Sequence, residues 1–242
     1  MGKLYVVGIG PGCPEKMTAE AGYALSESDL IAGYPVYLSL LGPEYAGKET
    51  LSTGMTKEIE RCRAALDEAA KGRTVSLICS GDPGIYGMAG LVLQLREDYP
   101  DVDVRIIPGV TAASSGAALL GAPLMHDFAV ISLSDRLTPW EKIEQRLLYA
   151  AKADLVIVLY NPESKGREGY LKKAAEILLR ILPADRAVGT AERIGREGEA
   201  AWTGTLGELS GSTADMFTTV FIGNSTTLIK NGQMITLRGF RI

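Results

Sequence analysis

The stretch Lys3-Leu4-Tyr5-Val6-Val7-Gly8-Ile9-Gly10-Pro11-Gly12 carries the first decision about the fold. A short β-prone apolar run ends in a cluster of glycines, so a strand over 3–9 delivers the chain to a tight turn whose backbone a ligand can approach closely. Working outward, runs of the same kind recur over 30–33, 74–79, 102–107, 128–133, 153–159, 187–191 and 218–222. Between them apolar residues return at helical spacing: Ile59, Cys62, Leu66 and Ala69, then Trp140, Ile143 and Leu147, then Leu171, Ala174, Ala175, Leu178 and Leu182. Strand–helix alternation of this kind predicts an α/β protein with mixed, mainly parallel sheets.

An alanine-rich segment over 110–122 ends at Ala122-Pro123-Leu124, where proline stops a helix and opens an extended stretch. The domain boundary is placed there, giving α/β domains over 1–121 and 122–242. From Trp202 onward three short β-like runs are separated by Gly223-Asn224-Ser225 and Lys230-Asn231-Gly232-Gln233. Asn-Gly readily takes the positive φ values of a tight hairpin, so an antiparallel meander is expected to close the second domain.

The chain has 242 residues, 46% hydrophobic and 22% charged, with a net charge of −4. That composition folds, and the length provides for two cores. Mild acidity argues against a nucleic-acid partner, which requires concentrated positive charge. No apolar stretch approaches the length of a membrane span, and the N-terminal segment runs straight into a strand, so no membrane is expected and the cytoplasm is the expected compartment. Cys13, Cys62 and Cys79 lack C-x-x-C spacing and read as reduced thiols. With His126 the sole imidazole, no structural zinc or iron–sulfur centre is expected, and no metal ligands are assigned.

Three glycine loops each follow a strand: 8–12, then Ser80-Gly81-Asp82-Pro83-Gly84-Ile85-Tyr86-Gly87, then Pro108-Gly109-Val110-Thr111-Ala112. Each alone is ordinary turn chemistry, and Thr111 reads equally as a helix N-cap. Together they would line one crevice. The dinucleotide fingerprint G-x-G-x-x-G is not met, because Cys13 stands where its third glycine belongs and the run over 30–33 ends without a ribose-binding acid. Pro11 also removes an amide from any phosphate cradle. A dinucleotide-dependent oxidoreductase is therefore the weaker reading from a different class.

In this order and spacing the three loops resemble the tetrapyrrole methylase family, the class III S-adenosylmethionine-dependent methyltransferases. The likeness continues through Gly121-Ala122-Pro123-Leu124, Leu159-Tyr160-Asn161-Pro162 and Gly189-Thr190-Ala191-Glu192-Arg193-Ile194-Gly195. The segments 126–135, Leu137-Thr138-Pro139-Trp140 and 160–165 are similar to the branch that methylates C17 of precorrin-3B or cobalt-factor III in cobalamin synthesis, with associated ring contraction. Another corrin position or a non-tetrapyrrole acceptor stays open within the same resemblance. It implies S-adenosylmethionine as methyl donor, S-adenosylhomocysteine as product, a tetrapyrrole substrate, a homodimer, and a cofactor held between two domains. The cofactor contacts it implies are Ile9, Gly10, Pro11, Gly81, Asp82, Ile85, Tyr86, Thr111 and Ala112, joined by Tyr160, Ala191 and Thr219.

Methyl transfer to carbon asks mainly for alignment. Ring contraction moves protons and calls for a general acid or base. His126 and Asp135, bordering one apolar strand, are the catalytic candidates, with Ser132 and Ser134 as hydrogen-bonding residues toward the substrate. His126 reads equally as a locally satisfied histidine, and Asp135 as a cap on the turn before the Trp140 helix. Thr138, with Glu141 three residues on, reads as that helix's N-cap. Residues 165–196 hold eight bases against four acids. Lys165, Arg167 and Arg193 are the candidates for substrate carboxylates, with Lys57 and Arg136 behind them.

Overall fold

The computed structural model describes residues 2–164 and 166–240, and the chain divides into two compact units, Met1–Thr111 and Ala112–Ile242. The first holds β1 (Lys3–Gly8), α1 (Ala19–Glu27), β2 (Leu30–Gly33), α2 (Pro35–Leu38), β3 (Glu49–Ser52), α3 (Glu58–Ala70), β4 (Thr74–Cys79), α4 (Ala89–Leu95) and β5 (Asp103–Ile107). Its sheet has the order β3-β2-β4-β1-β5 with every pair parallel. In β1, Leu4 and Val6 join a core with α3 and α4 residues such as Leu66 and Val92. Tyr5 and Val7 join a second core with Ala21 and Leu25 of α1. Both faces are covered, which is why the strand reads as an unbroken apolar run. Cys62 and Cys79 lie in the first of these cores, where burial pushes their thiols up to about 12 and about 11; Cys13 is only half-buried.

The second unit holds α5 (Ala112–Leu120), β6 (Gly121–Ala122), β7 (Phe128–Ser132), α6 (Trp140–Lys152), β8 (Val156–Tyr160), α7 (Tyr170–Leu178), β9 (Ala187–Glu192), β10 (Ala200–Thr205), α8 (Leu206–Leu209), β11 (Thr218–Ile222), β12 (Thr227–Lys230) and β13 (Gln233–Thr236). Its main sheet has the order β10-β9-β11-β8-β7 and is mixed, β7 and β8 pairing in parallel and the other pairs antiparallel. Ile157 and Leu159 face the core under α6 and α7, while Val158 and Phe221 face α5.

Three details depart from the sequence reading. The unit boundary falls after Thr111, ten residues before the expected one, because α5 packs on the second sheet. A Cβ at Gly116 would lie 3.0 Å from the Phe221 ring, so the small residues of α5 serve this close seating. The Asn231-Gly232 hairpin forms, with φ of +53° and +76°, yet β12 and β13 do not extend the main sheet; they join β6 in a separate three-stranded one. The stretch over 153–155, read as strand, instead closes α6 through amides of Ala153 and Leu155 donating to Tyr149 and Ala150 carbonyls. Among the described residues no helix is long and apolar enough to cross a membrane.

Candidate functional site

Strands β4, β1 and β5 are parallel neighbours, so the loops that follow them emerge at one edge of the first sheet. Backbone joins them. Gly10 and Gly81 exchange N–H···O bonds of 3.2 and 2.7 Å, with φ of +73° and +68°. A Cβ on Gly8 would lie 2.6 Å from the Gly109 nitrogen, and one on Gly109 would lie 2.1 Å from the Gly81 oxygen. Only glycine permits this approach. Asp82 completes the join: Oδ1 accepts from the Gly84 amide at 2.8 Å and Oδ2 from the Gly109 amide at 3.0 Å. Its carboxylate thus fastens two loops.

Of the expected cofactor contacts in this unit, Ile9 and Pro11 are buried, so their loop presents backbone. Ile85 and Tyr86 are exposed, and Tyr86 holds a strained φ of +56°. Thr111 and Ala112 are half-buried on either side of the unit boundary. No lysine or arginine occurs in 8–12, 80–87 or 108–111. Backbone-lined glycine loops that carry no cation, with exposed apolar side chains on the second of them, fit a phosphate-free adenosyl ligand bearing a positive sulfur and do not fit a pyrophosphate.

The second unit has its own working edge, where β7, β8 and β9 end. Tyr160 Oη accepts from the Ala113 amide at 2.6 Å, tying the end of β8 to the first turn of α5. Ala191 and Thr219 face one another in register on β9 and β11, and both are buried. Asn161, at φ +54°, donates from Nδ2 to Ser132 Oγ at 3.0 Å, which also accepts from the Ser134 amide at 3.2 Å. Asp135 Oδ2 accepts from Tyr170 Oη at 2.7 Å, and this bond raises the phenol above its ordinary pKa. The Tyr170 ring meets Trp140 edge-on at 4.9 Å and lies under the Arg167 guanidinium at 5.9 Å. Asp135 therefore does not cap the following helix. Nor does Thr138, since α6 begins with Pro139 as N-cap.

Arg167 is already engaged. Its Nε donates to Ser164 Oγ at 3.0 Å, and Nη1 reaches the Leu133 and Asn161 carbonyls at 3.4 and 3.3 Å. Exposed Arg193, at φ +47°, pairs with Asp215 at 3.2 Å, and Lys57 pairs with Glu60 at 2.9 Å. Arg136 is exposed, and Lys165 lies outside the described residues. His126 is not brought to this edge. It is exposed on the turn that enters β7, whereas Asp135 follows the strand's other end, and five residues of strand span about 16 Å. Tyr170, Trp140 and Asn161 received no role from the sequence; the Asp135–Tyr170 contact spans 35 residues and leaves no local signal. Among the described residues no three His, Cys, Asp or Glu side chains are grouped to hold a metal.

Residues 3–210 match the family model of the tetrapyrrole (corrin/porphyrin) methylases. A probable cobalt-factor III C17-methyltransferase of Salmonella typhimurium is 49% identical over 240 residues, covering 99% of this chain and 100% of the relative. A precorrin-3B C17-methyltransferase of Sinorhizobium is 42% identical over 96% of this chain and 93% of the relative. The crystal structure of the methyltransferase CobJ matches with a TM-score of 0.90 at 36% identity, over 98% of this chain and 100% of that one.

Proposed function

The chain belongs to the tetrapyrrole (corrin/porphyrin) methylase family, and from that membership we propose that it methylates C17 of cobalt-factor III in cobalamin biosynthesis, with the associated ring contraction. The observation that carries this reading is near-half identity along the whole chain with a relative named for that reaction. The metal-free acceptor precorrin-3B is the second reading, favoured by the Sinorhizobium relative.

S-adenosylmethionine, when bound, supplies an electrophilic methyl group on a positively charged sulfur and leaves as S-adenosylhomocysteine. The residues of the first unit that would hold it are the backbone of Gly10, Gly81 and Gly109, kept in place by Asp82, with Ile85 and Tyr86 on the exposed rim. Rigid placement of this kind contributes alignment, the main requirement of an in-line transfer. At the second edge Asp135 is the residue assigned to move a proton during contraction, with Tyr170 fixing its Oδ2 and Ser132 and Ser134 beside it. The exposed end of β7 that carries His126 has no part in this scheme. Arg193 meets substrate carboxylates by exchanging its exposed pairing with Asp215, which is a weak bond in water. The same reading makes the protein a cytoplasmic homodimer, and sedimentation showing a monomer would remove that part.

Incubation with S-adenosylmethionine and cobalt-factor III is expected to add one methyl group, placed at C17 by carbon NMR. A methyl at another carbon overturns the assignment. Tight NAD binding without methyl transfer overturns the reaction class.

A further inference from the structure

Arg61, in the first turn of α3, is 3% exposed, and no carboxylate among the described residues pairs with it. Its Nη2 donates to the Thr53 and Gly54 carbonyls at 3.0 and 2.9 Å, its Nη1 to Met88 Sδ at 3.7 Å, and its plane lies 5.8 Å from the Tyr34 ring centre. Nε is buried without a hydrogen-bond partner. A buried cation is costly unless it is well coordinated, so its retention points to what it holds. Tyr34 follows β2, Thr53 and Gly54 follow β3, and Met88 closes the loop after β4. Those strands are consecutive in the sheet, in the order β3-β2-β4. One guanidinium thus joins three loops at the edge that carries the glycine loops.

The loop it grips, residues 53–57, is built to present side chains. Thr56 holds φ +65°, a conformation a β-branched residue keeps only when its surroundings impose it. Met55 and Ile59 are 48% and 59% exposed, and Val36, in the short α2 that follows β2, is 36% exposed. Lys57 stands between Met55 and Ile59 with its ammonium in solvent, paired to Glu60. Apolar side chains with a cation among them match a flat macrocycle that carries carboxylate arms.

We infer that Arg61 is a positioning residue that sets the 53–57 loop as a platform for the acceptor, the face of a carboxylated tetrapyrrole resting on Met55 and Ile59 with an arm toward Lys57. The inference rests on the methyltransferase reading above. Met55→Glu alters a solvent-exposed side chain and leaves the fold intact. It is expected to raise the KM for cobalt-factor III roughly tenfold at unchanged kcat, the mark of lost ground-state binding. It should also weaken binding of uroporphyrin III, followed by fluorescence quenching, while S-adenosylhomocysteine affinity in calorimetry stays within about twofold. Arg61→Lys, whose ammonium cannot span three loops, should reproduce that split. Wild-type KM and uroporphyrin affinity in Met55→Glu overturn the inference while C17 transfer by the wild type leaves the broader reading standing. Wild-type protein that neither binds a macrocycle nor methylates one overturns both.

Discussion

The two working edges are made of different material. At the end of β4, β1 and β5, main chain meets main chain: Gly10 pairs with Gly81, and Gly8 and Gly109 leave no room for a Cβ. At the end of β7 and β8, side chains make the joins: Asn161 to Ser132, Arg167 to Ser164, Tyr170 to Asp135. The first arrangement is rigid and chemically plain, suited to holding a ligand in line. The second places a carboxylate and a phenol in contact, suited to handling a proton. A substitution at the first edge acts by shape, and one at the second by chemistry.

The largest effect expected from that contrast is at the second edge. Asp135→Asn keeps the Tyr170 hydrogen bond but cannot carry the proton, so contraction should slow by roughly 10²–10⁴-fold while methyl transfer is far less affected. The visible spectrum and carbon NMR of the product separate the two steps. Equal loss of both steps would make Asp135 a substrate anchor and break the contrast.

Gly10→Val tests the first edge. Its backbone sits at φ +73° and a Cβ would lie 2.8 Å from the Lys16 carbonyl oxygen. Strain of about 1–3 kcal/mol, released when the ligand is absent, should weaken S-adenosylhomocysteine by roughly 5- to 150-fold, read by calorimetry. A folded variant with wild-type affinity would remove this loop from the cofactor site.

Tyr170→Phe sharpens the comparison through pH. The bond to Asp135 raises the phenol pKa in the folded state, so the protonated form is favoured by folding. The stabilisation is complete below the ordinary phenol value near 10 and is lost as pH rises through the raised one. The variant should melt about 1–3 °C below wild type at pH 8, with the gap closing above pH 10. A gap independent of pH would assign the loss to packing against Trp140 instead. The smallest effect expected is that of His126→Asn: at the far end of β7 it should leave both steps at wild-type rate. Slowed contraction in that variant would return His126 to the chemistry.

Legibility in the sequence followed the same division. The glycine loops announce themselves because a glycine is needed at each place where backbone must approach backbone, whereas the sheet order that makes β4, β1 and β5 neighbours was not visible in their spacing. The motif around Tyr160-Asn161-Pro162 was equally visible, but what each side chain holds was not. Arg167 read as a free cation for a substrate carboxylate, whereas three groups of its own unit occupy it. Asp135 read as a helix cap as easily as a catalyst, because its partner lies on α7.

By itself the sequence determined the alternation of strands and helices, the two α/β halves, the glycine loops and the family. Each is a local pattern, set within a few residues by periodicity, turn chemistry or steric need. Tertiary structure alone decided that α5 belongs with the second unit, that His126 and Asp135 part company at the two ends of β7, that Tyr170 meets Asp135, and that a buried Arg61 ties three loops together. These rest on strand order and on contacts between residues distant along the chain, which packing selects only once the sheets have formed.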